Sequence, residues 1–142
     1  MYKEKFMALA IKEAKKAYKK NEVPVGCVIV KNDKVISKAH NLKEKRKSSI
    51  MHAEIIAIMR ACKKVKNWHL NECEMYVTLE PCMMCTGAII ESRIKKVYYS
   101  AESPKFGYFH ILNQKHQIEC EKGMMDAESS FLLKEFFKAK RG

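Results

Sequence analysis

Tyr76-Val77-Thr78-Leu79-Glu80-Pro81-Cys82-Met83-Met84-Cys85 runs from a β-branched, aromatic stretch through a proline into an apolar segment carrying two cysteines. Met75 to Leu79 predicts a strand. Pro81 opens an apolar helix that continues to about Ser92. Residues three apart are neighbours on a helix surface, so Cys82 and Cys85 face the same way. The free N–H groups and positive dipole end of a helix N-terminus favour thiolate over thiol. Two thiolates there supply half of a tetrahedral zinc site.

Downstream of this stretch, Lys96 to Ser100 reads as another strand, Phe106 to Cys120 fits no single pattern, and Met124 to Arg141 closes the chain as a helix. In that helix Phe131, Leu132, Leu133, Phe136 and Phe137 are available for packing. Upstream, Ile55 to Cys62 is apolar nearly all round and predicts a buried helix. Lys43 to Ser49 reads as a charged loop. Val25 to Val30 reads as a buried strand, Asn32-Asp33 as a turn, and Lys34 to Ala39 as the hairpin partner. Met7, Ala10, Ile11, Ala14, Ala17 and Tyr18 follow helical spacing with lysines between them, which makes the first element an amphipathic helix. Strands alternating with helices, opened by a hairpin, predict an α/β domain over residues 1–142, with a mixed sheet of about five strands and helices on both faces. Ligand sites in such folds gather at strand ends and helix N-termini.

Composition narrows the class. A chain of 142 residues with 47% hydrophobic and 31% charged residues has the make-up of one soluble globular domain. No apolar run reaches the roughly 18 residues that a membrane span needs. The N-terminus shows no signal-peptide pattern, so a cytoplasmic location is expected. In a reducing cytosol, six cysteines point to metal binding or burial more than to disulfides. Only Cys82 and Cys85 stand at metal-ligand spacing; Cys27, Cys62, Cys73 and Cys120 read as core or incidental. The formal charge of +12, from 28 basic against 16 acidic residues, suits a polyanionic partner such as nucleic acid. A lysine-rich composition decorating every surface would give the same number, and charge alone does not choose between them.

His52-Ala53-Glu54 precedes the other apolar helix as Pro81-Cys82 precedes the second. His52 is the natural third metal ligand. In mid-helix, positions two apart diverge by about 200°. His52 and Glu54 can therefore share a cavity only if the helix begins near His52. Three protein ligands leave a fourth position to water, the mark of a catalytic zinc, and zinc lowers the pKa of bound water to around 7. Glu54 could then take the proton from water and pass it to a leaving amine. A fourth ligand from His40, His69, Cys73 or Cys120 would instead close the site as a structural one.

The sequence closely resembles the bacterial tRNA-specific adenosine deaminases, within the cytidine deaminase-like superfamily. The matching blocks are Glu22-Val23-Pro24-Val25-Gly26, His52-Ala53-Glu54-Ile55, Tyr76 to Cys85, Gly87-Ala88-Ile89-Ile90 with Ser92-Arg93-Ile94, and Leu132-Leu133 to Phe136-Phe137. The resemblance implies a cytidine deaminase-like three-layer α/β/α fold and a homodimer. It implies one zinc per subunit on His52, Cys82 and Cys85, with Glu54 as proton shuttle. The implied reaction is hydrolysis of the wobble adenosine of a tRNA anticodon to inosine, hydroxide on the zinc attacking the base carbon that bears the amine. Asn41 matches the family's base-contacting asparagine; as a sequence feature it reads equally as a turn residue. The backbone around Ala53 is expected to touch the base. Where the family commonly has Asp-Pro-Lys, this chain has Ser103-Pro104-Lys105, which leaves Lys105 and loses an acidic contact to the RNA. Phe106 and Tyr108 either stack on splayed bases or fill core. Lys43, Lys45, Arg46, Lys47, Lys105, Lys140 and Arg141 are candidate phosphate contacts. The competing reading is a deaminase of a free base or nucleoside (guanine, cytosine or cytidine), which would need no basic rim. A non-catalytic zinc module that binds RNA would need four protein ligands and no role for Glu54.

Overall fold

A computed structural model describes residues 1–103 and 119–141. Its centre is one sheet of β1 (Gly26–Lys31), β2 (Lys34–His40), β3 (Cys73–Leu79), β4 (Lys96–Ala101) and β5 (Glu119–Lys122), in the order β2-β1-β3-β4-β5. β1 runs antiparallel to β2 and β3, whereas β3, β4 and β5 are mutually parallel. The sheet is therefore mixed, as the alternation of elements predicts. The described helices are α1 (Glu4–Lys19), α2 (Lys43–Arg46), α3 (Ala53–Val65), α4 (Met83–Ser92) and α5 (Asp126–Arg141). None is long and apolar enough to cross a membrane.

The period of two along β1 sorts the helices into layers. Val28 and Val30 face Phe6, Met7, Ala10 and Ile11 of α1, together with Tyr76 and Tyr98. Cys27 and Ile29 face the other way, into a core with Ile56, Ala57 and Ala61 of α3 and Ile89 of α4. α5 lies beside α1, with the rings of Tyr18 and Phe136 6.5 Å apart. The result is three layers, α/β/α. Gly26 makes the close approach of α1 to β1 possible: a Cβ there would fall on the carbonyl oxygen of Ala10 and lie 2.6 Å from Ala14 N. Asn32 and Asp33 both take positive φ, 50° and 61°, which is the primed turn that suits a two-residue hairpin.

Two elements depart from the sequence reading. Lys43 to Arg46, expected as loop, is a single helical turn. Its N-terminus is held from outside: the Glu22 carboxylate accepts the backbone N–H groups of Glu44 and Lys45 at 3.1 and 2.9 Å. β5 starts at the end of the stretch that fitted no pattern, with Glu119 and Cys120 inside it. Only Cys120 in it packs against the core; Glu119 and Glu121 are exposed and pair with Lys96 at 3.7 and 3.3 Å. Charge along an edge strand is how sheets discourage pairing with another chain, and it erases the hydrophobic alternation by which a strand is read.

Candidate active site

β3 ends at Leu79 and the chain turns through Glu80 and Pro81 into α4, with Cys82 as its N-cap in extended conformation (φ −75°, ψ 177°). His52 occupies the same position on α3 (φ −76°, ψ 153°), so that helix begins at Ala53. This start places Glu54 in the first turn, where His52 and Glu54 line one cavity together. The two helix N-termini meet on one side of the sheet. His52 Nδ1 lies 3.7 Å from Cys82 Sγ and 3.5 Å from Cys85 Sγ, and the three ligand atoms all lie within 4.8 Å of one another.

This arrangement fits zinc. Bonds of about 2.0 Å to nitrogen and 2.3 Å to sulfur at a tetrahedral angle put the two ligand atoms about 3.5 Å apart, close to the 3.7 and 3.5 Å found. Two sulfurs and an imidazole, with no carboxylate among them, also disfavour magnesium or calcium. Among the described residues no fourth His, Cys, Asp or Glu completes the group. Of the alternatives named from sequence, His40 hydrogen-bonds Glu13 at 3.0 Å, His69 pairs with Asn71, Cys73 starts β3 at the far end of the sheet, and Cys120 lies on β5. The described residues thus offer three protein donors and no fourth.

The charges in the site respond to one another. The Cys85 thiol donates to Cys82, and this bond, with a further one from His52, brings the Cys82 thiol down to about 4. Cys85 is pushed far up for the same reason, and by burial. His52 is raised, chiefly by its bond to Cys82. Glu54 is 4% exposed, and burial pushes its carboxyl up to about 7. A group balanced near neutral pH can both take and give a proton.

Asn41 follows β2 and turns inward. Its Oδ1 accepts the N–H of Ala53 at 2.7 Å, and the residue also lines the cavity. It thereby satisfies one of the free donors at the start of α3, a contact that explains why the helix begins there. The Ala53 N–H is occupied by this bond. Lys105, Phe106 and Tyr108 lie outside the described residues, as does most of the segment from Phe106 to Cys120. Ser103 is described: its N–H donates to Glu80 Oε1 at 3.2 Å on the cavity wall.

The cavity measures about 880 Å³ and is lined mainly by apolar groups, among them Val23, Val25, Leu79, Leu133 and Phe137. That size and lining suit a flat heteroaromatic base. Sequence reading missed Glu80 and the two α5 side chains. Glu80 sits inside the block that carries the cysteines, but nothing in the sequence says that it would be buried. Leu133 and Phe137 stand four apart on one helix face, a spacing that reads as ordinary core.

Residues 1–101 match the family described as the cytidine and deoxycytidylate deaminase zinc-binding region. The chain is 47% identical to the tRNA-specific adenosine deaminase of Aquifex aeolicus, covering 99% of this chain and 97% of that protein. It is 44% identical to the tRNA-specific adenosine deaminase of Bacillus subtilis, covering 97% and 90%. A solved structure from a study of A-to-I editing by tRNA:A34 deaminases at the wobble position superposes with a TM-score of 0.85 at 33% identity, covering 92% of this chain and 100% of that one.

Proposed function

The chain belongs to the zinc-binding cytidine and deoxycytidylate deaminase family and, within it, to the tRNA-specific adenosine deaminases; on that footing we propose that it converts the wobble adenosine of a tRNA anticodon to inosine. The observation that carries the reading is that a buried acid, Glu54, shares one cavity wall with a three-donor metal group. The names of the relatives support the substrate. We take residues 1–142 as one deaminase domain.

His52, Cys82 and Cys85 would hold the zinc. When bound, zinc supplies the Lewis acidity that makes water a competent nucleophile near neutral pH. Glu54 accepts a proton from the attacking water and returns it to the exocyclic amine, which leaves as ammonia. Water and adenosine are consumed; inosine and ammonia are formed. Asn41 presents its side-chain amide to the base from the cavity wall while its oxygen holds Ala53. Val25, Leu79 and Leu133 exclude bulk water from around the ring, which strengthens every polar contact inside. A base held in an anticodon loop must leave its stack to reach this cavity, as in zinc deaminases as a class. Lys43 on the rim and the net charge of +12 suit the phosphates on either side of it. A cytoplasmic enzyme follows from a tRNA substrate. A homodimer is the proposed assembly, as the resemblance to the tRNA-specific adenosine deaminases implies.

Purified protein incubated with anticodon stem-loops, and separately with free nucleosides and bases, tests the substrate. Inosine at the wobble position, with a KM that rises steeply with salt, is expected. Turnover of free guanine, cytosine or cytidine at a rate indifferent to salt, with none on the RNA, would contradict it.

A further inference from the structure

Glu22 is 2% exposed and lies just beyond the C-terminal end of α1, its own N–H bonded to Ala17 O at 3.0 Å. Its carboxylate is spent on two backbone donors of α2, Glu44 N–H and Lys45 N–H. The segment it holds reads Lys43-Glu44-Lys45-Arg46-Lys47, four cations in five residues. A four-residue helix does not form on its own, because nucleation is unfavourable and Lys43 and Arg46, three apart, repel each other. The turn is closed by Ser48 N–H on Lys43 O at 3.1 Å and by a left-handed Lys47 at φ 50°. Lys43 is at the cavity that holds His52 and Glu54, whereas Lys45, Arg46 and Lys47 are exposed.

We propose that Glu22 is a positioning residue for RNA: by capping α2 it fixes the Lys43–Lys47 cations at the cavity rim, in place to meet the phosphates that flank the inserted base. This inference rests on the anticodon-RNA reading above. A loose loop would carry the same charge, but RNA would have to order it on binding, and that entropy would be drawn from affinity. Glu22 removes the ordering step in advance. It touches neither metal ligand nor substrate, so its loss is expected in KM and not in kcat. Gln in its place keeps the size but turns an N–H₂ group towards one of the two backbone donors.

Inosine formation from an anticodon stem-loop is measured at several salt concentrations for four proteins. These are wild type, Glu22→Gln, a variant carrying Lys43→Ala, Lys45→Ala, Arg46→Ala and Lys47→Ala, and the two combined. Glu22→Gln is expected to raise KM about tenfold, the effect of one charged hydrogen bond. Its kcat should stay within about twofold and its zinc content unchanged. In the background lacking the four cations, Glu22→Gln should shift KM by less than about twofold, because the groups it positions are gone. An unchanged KM, an equal shift in both backgrounds, or a fall in kcat alone would overturn the inference. Should Glu22→Gln not fold, amide exchange in the RNA-free wild type decides. Protection of the Glu44 and Lys45 N–H groups supports the cap, and open-loop exchange overturns it. Wild type that makes no inosine from RNA overturns the substrate reading and this inference with it; wild-type activity beside an unaltered Glu22→Gln overturns this inference alone.

Discussion

The two ends of the sheet hold similar residues and behave oppositely. At one end, His52, Cys82 and Cys85 converge at the N-termini of α3 and α4. At the other, His69 and Cys73 line a smaller cavity of about 370 Å³, and Cys62 sits in the C-terminal part of α3. At the site end the pair splits, Cys82 brought down to about 4 by the hydrogen bond from Cys85 and Cys85 itself pushed far up, whereas at the other end burial pushes both Cys62 and Cys73 up. Helix direction adds to the contrast: free N–H groups favour a thiolate at an N-terminus, and the carbonyls at a C-terminus oppose one. A cysteine becomes a candidate ligand here by its place on a helix as much as by its neighbours in sequence.

The largest test of this contrast removes one sulfur from each end. Cys82→Ala or Cys85→Ala is expected to lose zinc and turnover, and with zinc in excess to lose about 3 kcal/mol or more of stability, since metal binding is linked to folding. Cys73→Ala should keep its zinc and its activity and cost about 1 kcal/mol as a small core deletion. Metal analysis and thermal unfolding read both; full zinc in Cys82→Ala would erase the difference between the ends.

Asparagine gives a finer comparison. Asn41 caps Ala53 at the site end, and Asn71 meets His69 at the other. Asn41→Ala should cost about 1 kcal/mol through the lost cap and also lower activity. Asn41→Asp keeps the accepting oxygen, so stability should return while activity stays low for want of the amide donor. Asn71→Ala should fall within about 0.5 kcal/mol of wild type, with normal turnover. If Asn41→Asp restored turnover as well, its role would be capping alone.

The smallest effect concerns pH. Glu13 on α1 is 5% exposed and binds Lys16 Nζ at 2.8 Å and, at 3.0 Å, Nδ1 of His40, the residue before Asn41. Burial alone would raise its carboxyl, but the bonds to Lys16 and His40 outweigh it and hold the group below the ordinary value of 4.5. A depressed acid stabilises the fold above its unfolded value, and that stability is lost as pH falls through the folded one. Between about pH 5 and about pH 3, wild type should therefore lose more stability than Glu13→Gln. Parallel losses in acid denaturation would assign the bond no net effect.

Sequence carried most of the site because its residues are local to two turns. His52 with Glu54, and Cys82 with Cys85, are short-range pairs whose meaning depends only on where a helix starts. The alternation that made β1 and β3 legible is likewise local. What escaped was fixed by distant partners: α2 exists because Glu22 caps it from 22 positions away, and β5 because it pairs in parallel with β4 and packs Cys120 on the core. Leu133 and Phe137 escaped for the same reason, since only the fold tells a cavity wall from a core. Which nitrogen of His52 faces the sulfurs was likewise invisible until the backbone placed the ring.

Zinc content and inosine formation measured on one preparation of Glu54→Ala test the account at its centre. Zinc should equal that of wild type while inosine production falls by roughly 10²–10⁴-fold, the range for losing an acid–base group. Wild-type turnover, or zinc lost along with activity, would remove Glu54 from the proton path.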